Sequence, residues 1–507
     1  MKKILLIIFL AAPFLRFLFF PDNIYFGYDQ ARDAFAALNI LKGDLKIVGP
    51  TTTFSGLNHG VLHWYILSFP YLIGAGNPEI ASAFFRILNA LGIFIIFYLG
   101  KILFDKKVGF ITAFLLAISF EQSQFSIYLG NPALGSLSVP LMFLGLSLVI
   151  FARKNWGLIL AFLGLGLSIQ FQFALFYLIT PFLLIIIYFR KSFLKLPAKI
   201  WTVSVFAGIV SISTFLIAEI KYGFRIMHAL TQLVTSGSHK TIENIIGTYV
   251  YTINKMIEFN LTGNLVISPL AEIVLLGVFA FLLIKKDFRE KIIFLGIWFF
   301  SLIITFLING GVENPAVNFP LYYPNVGISI ALLIFVAFVL YKLLTRSKVL
   351  FFTLILIIFA LNIFKINQLN PKGTILEINS QPGMLLSDEK KVLDYIYQDA
   401  KGPFAVKALT MPLDINTTWS YLFEWYGQKK YGYLPTWNGK NALGYPGNLM
   451  VQEAQEGLPN KRYVIIEPLR GIPDYLVNDF LKEEGYFTKV LEEKKFGQII
   501  VQKRTKI

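Results

Sequence analysis

Cysteine is absent from all 507 residues. That excludes disulfides, thiolate metal sites, iron–sulfur clusters and a cysteine nucleophile. Histidine is scarce, with four in the chain. Charge is scarce too: Asp, Glu, Lys and Arg make up 15% of residues, against about a quarter in a soluble domain. What fills the chain instead is apolar. Hydrophobic residues reach 56%, phenylalanine alone occurs 50 times, and mean hydropathy is +0.63. This composition rules out a soluble enzyme, a disordered tail protein and a collagen-like fibre.

Runs of near-transmembrane length recur along the chain. They fall at about 4–20, 83–100, 108–121, 134–152, 157–170, 171–189, 200–219, 265–284, 292–309, 321–341 and 349–366. The sequence therefore predicts about eleven membrane helices. Gln170 and Gln172 mark the turn between the two nearly continuous runs. The first run has Arg16 late in it and no small-x-small cleavage site after it, which speaks against a signal peptide. Segment 60–74 is apolar but too short to span; its length and its aromatics fit an interfacial or re-entrant helix.

The net charge of +16 divides along the same lines. Basic clusters at Lys101–Lys107, Arg153–Lys154, Arg190–Lys199, Lys285–Lys291 and Lys342–Lys348 alternate with connections such as 121–133 and 310–320 that hold no Lys or Arg. Short basic connections stay in the cytoplasm. With the N-terminus, the cytoplasmic segments carry 18 Lys or Arg against 3 Asp or Glu. The excess is thus a topology signal, and no nucleic-acid partner is expected. The N-terminus is expected inside, and an odd span count puts the C-terminus outside, with 21–82, 220–264 and 367–507. The expected localisation is multi-pass in the plasma membrane.

Residues 371–507 belong to a different solvent class, with 18 basic against 16 acidic residues. Helices are expected at Asp388–Asp399 and Thr417–Lys429, and strands at Phe404–Leu409, Tyr463–Glu467 and Gln498–Gln502. The chain thus reads as a transmembrane domain over 1–370 and a small extracytoplasmic α/β domain over 371–507. That C-terminal part has no GxGxxG, Walker or zinc spacing.

Polar chemistry concentrates at the expected outer interface. Asp29, Arg32 and Asp33 fall within five residues of one another. On a helix the two carboxylates lie one turn apart, with Arg32 adjacent. A carboxylate there suits removal of a proton from a hydroxyl, and a guanidinium suits a phosphate. The plainer alternative is a surface helix with Asp29 at its N-terminus. Further on, Glu219 precedes Lys221, Arg225 and His228, whose spacing predicts one basic helix face; the alternative is an anchor on lipid headgroups. Glu121 at the end of a span is costly unless paired, and Asn131 follows in the same connection. Asn314-Pro315 and Pro320-Leu321-Tyr322-Tyr323-Pro324 open a later span, where an aromatic belt is the simpler reading.

The layout resembles the GT-C superfamily of membrane glycosyltransferases, in particular the protein O-mannosyltransferase and aminoarabinose-transferase branch (families 39 and 83). Asp29-Gln30-Ala31-Arg32 resembles that branch's Asp-Glu-Ala-Arg stretch, with Gln30 replacing the second acid. His59-Gly60-Val61-Leu62-His63-Trp64-Tyr65 resembles its Lys-Pro-Pro-Leu-x-x-Trp stretch, with His59 where the branch has lysine. Arg86 fits an arginine common at the start of the next span. The motifs cover roughly residues 1–240, and the layout covers the rest.

The resemblance implies transfer of a hexose or pentose from a polyprenyl-phosphate donor to an acceptor hydroxyl, with inversion, at the outer face. Asp29 and Asp33 would be catalytic. Arg32, Arg225, Lys221, His59 and Arg86 would bind the donor phosphate. His63, Tyr65, Glu121, Asn131, Glu219, His228 and Tyr322 would contact substrate. The acceptor would be a glycan, lipid or protein, and membrane lipids the surroundings. No cofactor is predicted; a divalent metal serves some relatives, and clustered carboxylates are few here. The competing classes are a lipid-linked-sugar flippase, a surface-polysaccharide ligase or polymerase, and a receptor acting through 371–507. Transporters often carry internal repeats, and none is visible.

Overall fold

The computed structural model describes residues 2–52, 56–235, 242–309, 313–314, 319–320, 322–375, 381–440 and 442–507. Pro315 and Leu321 and most of the connection 310–320 lie outside the described residues.

The described residues before 371 are mostly helical, with one short antiparallel ladder that pairs Glu313–Asn314 with Phe319–Pro320. Helix α1 (Lys2–Phe17) leads into two short helices, α2 (Tyr28–Leu41) and α3 (Leu62–Ile73). Then come α4 (Pro78–Leu103), α5 (Lys106–Ile118), α6 (Phe120–Ile127), α7 (Gly135–Ile150), α8 (Gly157–Phe171) and α9 (Ile179–Tyr188). Next are α10 (Ala198–Ser211), α11 (Ser213–Lys221), α12 (Arg225–Thr235) and α13 (Ile242–Ile257). The helical part closes with α14 (Ser268–Ile284), α15 (Lys286–Phe300), α16 (Ile303–Asn309), α17 (Ser329–Arg346) and α18 (Lys348–Leu369). Every apolar run read from the sequence overlaps a helix, though 265–284 and 321–341 reach theirs only at Ser268 and Ser329.

The starts follow local chemistry. Asn77 caps α4 by accepting from Glu79 N–H, with Pro78 at the first helical position. Asp105 caps α5 through the N–H groups of Lys107 and Val108. Among the described residues, five helices are long and apolar enough to cross a membrane, or up to seven if each of two bent pairs counts as one span. Those pairs are α5–α6, bent by 56°, and α10–α11, bent by 60°. Shorter apolar helices, α8 and α14 among them, account for the remaining runs. Run 171–189 starts as a 3-10 turn, Phe173–Leu178, because Gln172 is extended and interrupts the helix. The segment 220–264, read as a long connection, contains α12 and α13.

The C-terminal part is a six-stranded mixed sheet. Its strands are β1 (Ala405–Leu409), β2 (Thr436–Trp437), β3 (Met450–Val451), β4 (Arg462–Ile466), β5 (Thr488–Phe496) and β6 (Ile499–Lys506). Across the sheet the order is β3-β2-β1-β4-β6-β5. The first four in that order run parallel, and β6 and β5 complete it antiparallel. Alternation along β4 sends Tyr463 and Ile465 into the main core. Val464 and Ile466 meet Val477 and Phe480 of helix α21 (Asp474–Phe487) on the other face. The main-core face also receives α19 (Leu386–Ala400) and α20 (Thr417–Leu422).

This sheet domain is tied to the first connection by backbone and side chains. Phe26 N–H donates to Met384 O, and Leu386 N–H donates to Ile24 O. Tyr421 donates to Gly76 O at 2.6 Å and packs its ring between Phe26 and Phe35. Lys390 pairs with Glu79 at 2.7 Å. The segment that leads into α2 is therefore fixed from both sides.

Candidate functional site

Helix α2 presents its first turn at the surface and its middle to the core. Asp29 is exposed, while Asp33 is 1% exposed. Arg32 lies between them. Its Nη1 is 2.7 Å from Asp29 Oδ1, and its Nε and Nη2 donate to Asp33 Oδ1 at 2.9 and 2.8 Å. The Trp64 indole donates to the same Oδ1 at 2.7 Å, and His63 Nε2 stands 3.5 Å from Oδ2. Both come from α3. Burial acts to raise the Asp33 carboxyl, but Arg32, His63 and Trp64 bring it down to about 2. Burial acts to lower Arg32, and the two carboxylates outweigh it, so the guanidinium stays charged.

Gln30 is buried and uses both ends of its amide. Its oxygen accepts from Gly27 N–H, and its nitrogen donates to Leu129 O at 2.9 Å. The residue in place of the second acid therefore docks α2 onto the 128–131 segment.

An antiparallel bridge between Thr51 and Asn58 places His59 near this group. His59 N–H donates to Pro50 O, Thr52 N–H to Leu57 O, and Gly60 N–H to Gln170 O. Gly60 has no room for a side chain: a Cβ there would sit 2.0 Å from Gln170 Oε1 and 2.6 Å from Gln170 O. His59 Nδ1 accepts from Phe173 N–H at 3.2 Å. Burial, reinforced by the nearby Arg32 charge, lowers the imidazole to about 3. His59 is neutral at physiological pH, so it offers hydrogen bonding and no charge.

His59 also lines a cavity of about 300 Å3, together with Asn58, Glu219, Tyr222 and Arg225. The predicted single basic helix face does not form. α11 ends at Lys221, and Gly223 and Phe224 take positive φ of 70° and 58° before α12 starts at Arg225. Glu219 drives that break. Its carboxylate accepts from Ile226 N–H at 2.8 Å and Met227 N–H at 3.2 Å, which caps α12. Arg225 reaches the cavity, whereas Lys221 is exposed over the Tyr222 ring. His228 is exposed and does not line the cavity.

Other predicted residues lie apart. Arg86 does not join the cluster. Its guanidinium donates to Arg16 O at 2.6 Å, Asn23 Oδ1 at 2.8 Å and Ser82 Oγ at 3.2 Å, and it lies over the Phe17 and Phe20 rings. It ties α1 to α4 beneath the first connection. Tyr65 donates to Lys46 O, holding the loop before that bridge. Asn131 donates to Phe171 O at 2.7 Å and Gln172 Oε1 at 3.3 Å, so it supports the α8 terminus. Glu121 and Tyr322 meet in a second buried centre, where Tyr322 donates to Glu121 at 2.6 Å. Ser329 and Asn260 also donate to Glu121. Trp64 as a partner of Asp33, and Gln172 as a hydrogen-bond partner of the His59 side chain, were not expected. Neither has a local sequence signal, because Trp64 sits 31 positions from the carboxylate it binds.

Among the described residues, no three His, Asp or Glu side chains gather as a metal would require.

Comparison with solved structures adds the decisive observation. ArnT from Cupriavidus metallidurans bound to undecaprenyl phosphate superposes with a TM-score of 0.63 at 10% identity, covering 98% of this chain and 97% of that one. The chain shares its overall fold with this protein. Apo ArnT from the same organism gives a TM-score of 0.52 at 12% identity, again over 98% and 97%. The archaeal oligosaccharyltransferase AglB from Archaeoglobus fulgidus, in complex with an inhibitory peptide and a dolichol-phosphate, matches with a TM-score of 0.51 at 14% identity. That match covers 86% of this chain and 64% of AglB. The family model of dolichyl-phosphate-mannose-protein mannosyltransferases matches residues 58–217, the stretch that contains His59, His63, Trp64 and Arg86. No curated protein sequence matches the chain.

Proposed function

We propose that the chain is an integral membrane glycosyltransferase that moves a sugar from a polyprenyl-phosphate donor to an acceptor hydroxyl. The carrying observation is the Asp29–Arg32–Asp33 group on α2 of a chain that shares the fold of ArnT. In the proposed reaction, Asp29 takes the proton of the acceptor hydroxyl. The oxygen attacks the anomeric carbon from the face opposite the phosphate. The C–O bond to phosphate breaks, polyprenyl phosphate leaves, and configuration inverts. Arg32, Arg225 and the neutral His59 steady the leaving phosphate, with Lys221 at the rim. The full occupation of Asp33 Oδ1 supports a positioning role, in which Asp33 holds Arg32 in place and does not itself act as base.

The topology belongs to the same proposal. The basic connections lie in the cytoplasm, the N-terminus is inside, and 371–507 form an extracytoplasmic domain whose boundary with 1–370 follows α18. We assign no metal to the chemistry. Purified protein in detergent, offered a panel of polyprenyl-phosphate sugars, should release polyprenyl phosphate, and chelator should leave the rate unchanged. Asp29→Asn should abolish release while leaving membrane expression and donor binding intact. Normal turnover in that variant would remove Asp29 from the reaction.

A further inference from the structure

The C-terminal domain places an aromatic side chain over the exposed end of α2. Residues 442–449 precede β3 and are anchored at one end. Thr417 Oγ1 donates to Pro446 O at 2.7 Å, and Asn448 N–H donates to Ser420 Oγ at 2.8 Å. Asn448 Nδ2 donates to Glu424 Oε2 at 2.8 Å. Gly447 lies flush on α20: a Cβ there would be 2.7 Å from Asn416 Oδ1. From this anchor the segment carries Tyr445 back to α2. The Tyr445 and Tyr28 rings lie 6.0 Å apart at 58°, and the Arg32 guanidinium is 5.6 Å from the Tyr28 ring centroid. Tyr28 immediately precedes Asp29. Tyr445 is still 44% exposed, and its neighbour Leu443 is 86% exposed.

Two partly open aromatic rings thus meet at the start of α2, where Tyr28 adjoins an exposed carboxylate. A sugar ring has matching chemistry: C–H groups on one face for an aromatic wall, and hydroxyls at the edge for a carboxylate. A lipid-headgroup anchor would explain an exposed aromatic alone. It does not explain why the tip is tied down so that Tyr445 meets the residue next to Asp29. We propose that Tyr445 and Tyr28 form an acceptor subsite for a pyranose, stacking its ring so that a hydroxyl meets Asp29. The acceptor is then a glycan, and the C-terminal domain selects it. This inference rests on Asp29 serving the acceptor.

The test uses full-length protein in detergent and a panel of methyl pyranosides as probes. Saturation-transfer NMR reads binding directly, without donor. Polyprenyl phosphate release with the same probes as acceptors reads transfer. Tyr445→Ala should raise the KM for the methyl pyranoside about tenfold, leaving donor KM and kcat within about twofold. Tyr445→Phe should behave as wild type, because stacking needs the ring and not the hydroxyl. Thermal stability should change little, since the side chain is 44% exposed. An unchanged pyranoside KM in Tyr445→Ala, or an equal loss in Tyr445→Phe, overturns the subsite. Transfer to a serine-containing peptide in place of every pyranoside also overturns it. If no donor reacts, the transferase reading fails; NMR binding lost in Tyr445→Ala would then still support the subsite, and no binding by wild type would overturn it.

Discussion

Replacing Asp33 by asparagine separates positioning from chemistry. The carboxylate is buried, yet its pKa falls from 3.8 to about 2. That difference of about two units corresponds to about 2.5 kcal/mol favouring the folded, ionised state. The sign follows from a depressed folded pKa: the stabilisation is complete above about pH 4 and is lost as pH falls through about 2. Asparagine keeps the volume and removes the charge that Arg32 Nε and Nη2 share. Breaking a buried ion pair typically costs about 3–5 kcal/mol. Here Asp29 still holds Arg32 through Nη1, so the expected loss is about 2–3 kcal/mol. Transfer should slow roughly a hundredfold, because the guanidinium loses the fork that orients it. Asp29→Asn provides the contrast. Asp29 is exposed, and an exposed pair contributes under about 1 kcal/mol, so that variant should keep its stability and lose its turnover. Thermal unfolding in detergent at pH 7, run beside the polyprenyl phosphate assay, measures both quantities. Equal melting of wild type and Asp33→Asn would refute the network as the holder of Arg32. Equal destabilisation by both asparagine variants would refute the division of roles.

The sheet domain should respond to pH in the opposite sense. Glu467 accepts from Gln381, Met411 N–H and Trp419, yet burial raises its pKa from 4.5 to about 7. Stability is complete below about pH 4.5 and falls by about 3 kcal/mol as pH rises to about 7. Glu389, also buried and raised, adds to the same trend, so Glu467→Gln should flatten the melting profile in part; an unchanged profile would refute it. Gly60→Ala should push its segment off Gln170 and displace His59, lowering transfer roughly a hundredfold. Transfer at the wild-type rate would refute the close packing. Glu219→Ala should uncap α12, at a cost of about 1 kcal/mol, and raise the KM for the donor through Arg225; an unaltered donor KM would separate Arg225 from the phosphate.

What the sequence disclosed follows the range of the interactions. The apolar runs were legible because a membrane helix is written in consecutive residues. Asp29, Arg32 and Asp33 were legible because one helical turn brings them together. The partners from elsewhere were not: Trp64 and Gln172 reach the site only through folding. The strand Thr488–Phe496 was overlooked because it is an edge strand, charged and mostly exposed, without the alternation that marks a buried face. The basic face from Lys221 to His228 was misread because helical spacing was extended through Gly223, the residue best suited to end it. The most instructive case is the pair at 29 and 33. Spacing puts them on one face, and that reading alone makes them interchangeable. Depth makes them different: the first turn of α2 stands at the surface, while the next turn packs under α3. In the proposed reaction the same side chain is then a proton acceptor at one end and a fixed anchor at the other. Arg32 between them links the exposed carboxylate to the buried one.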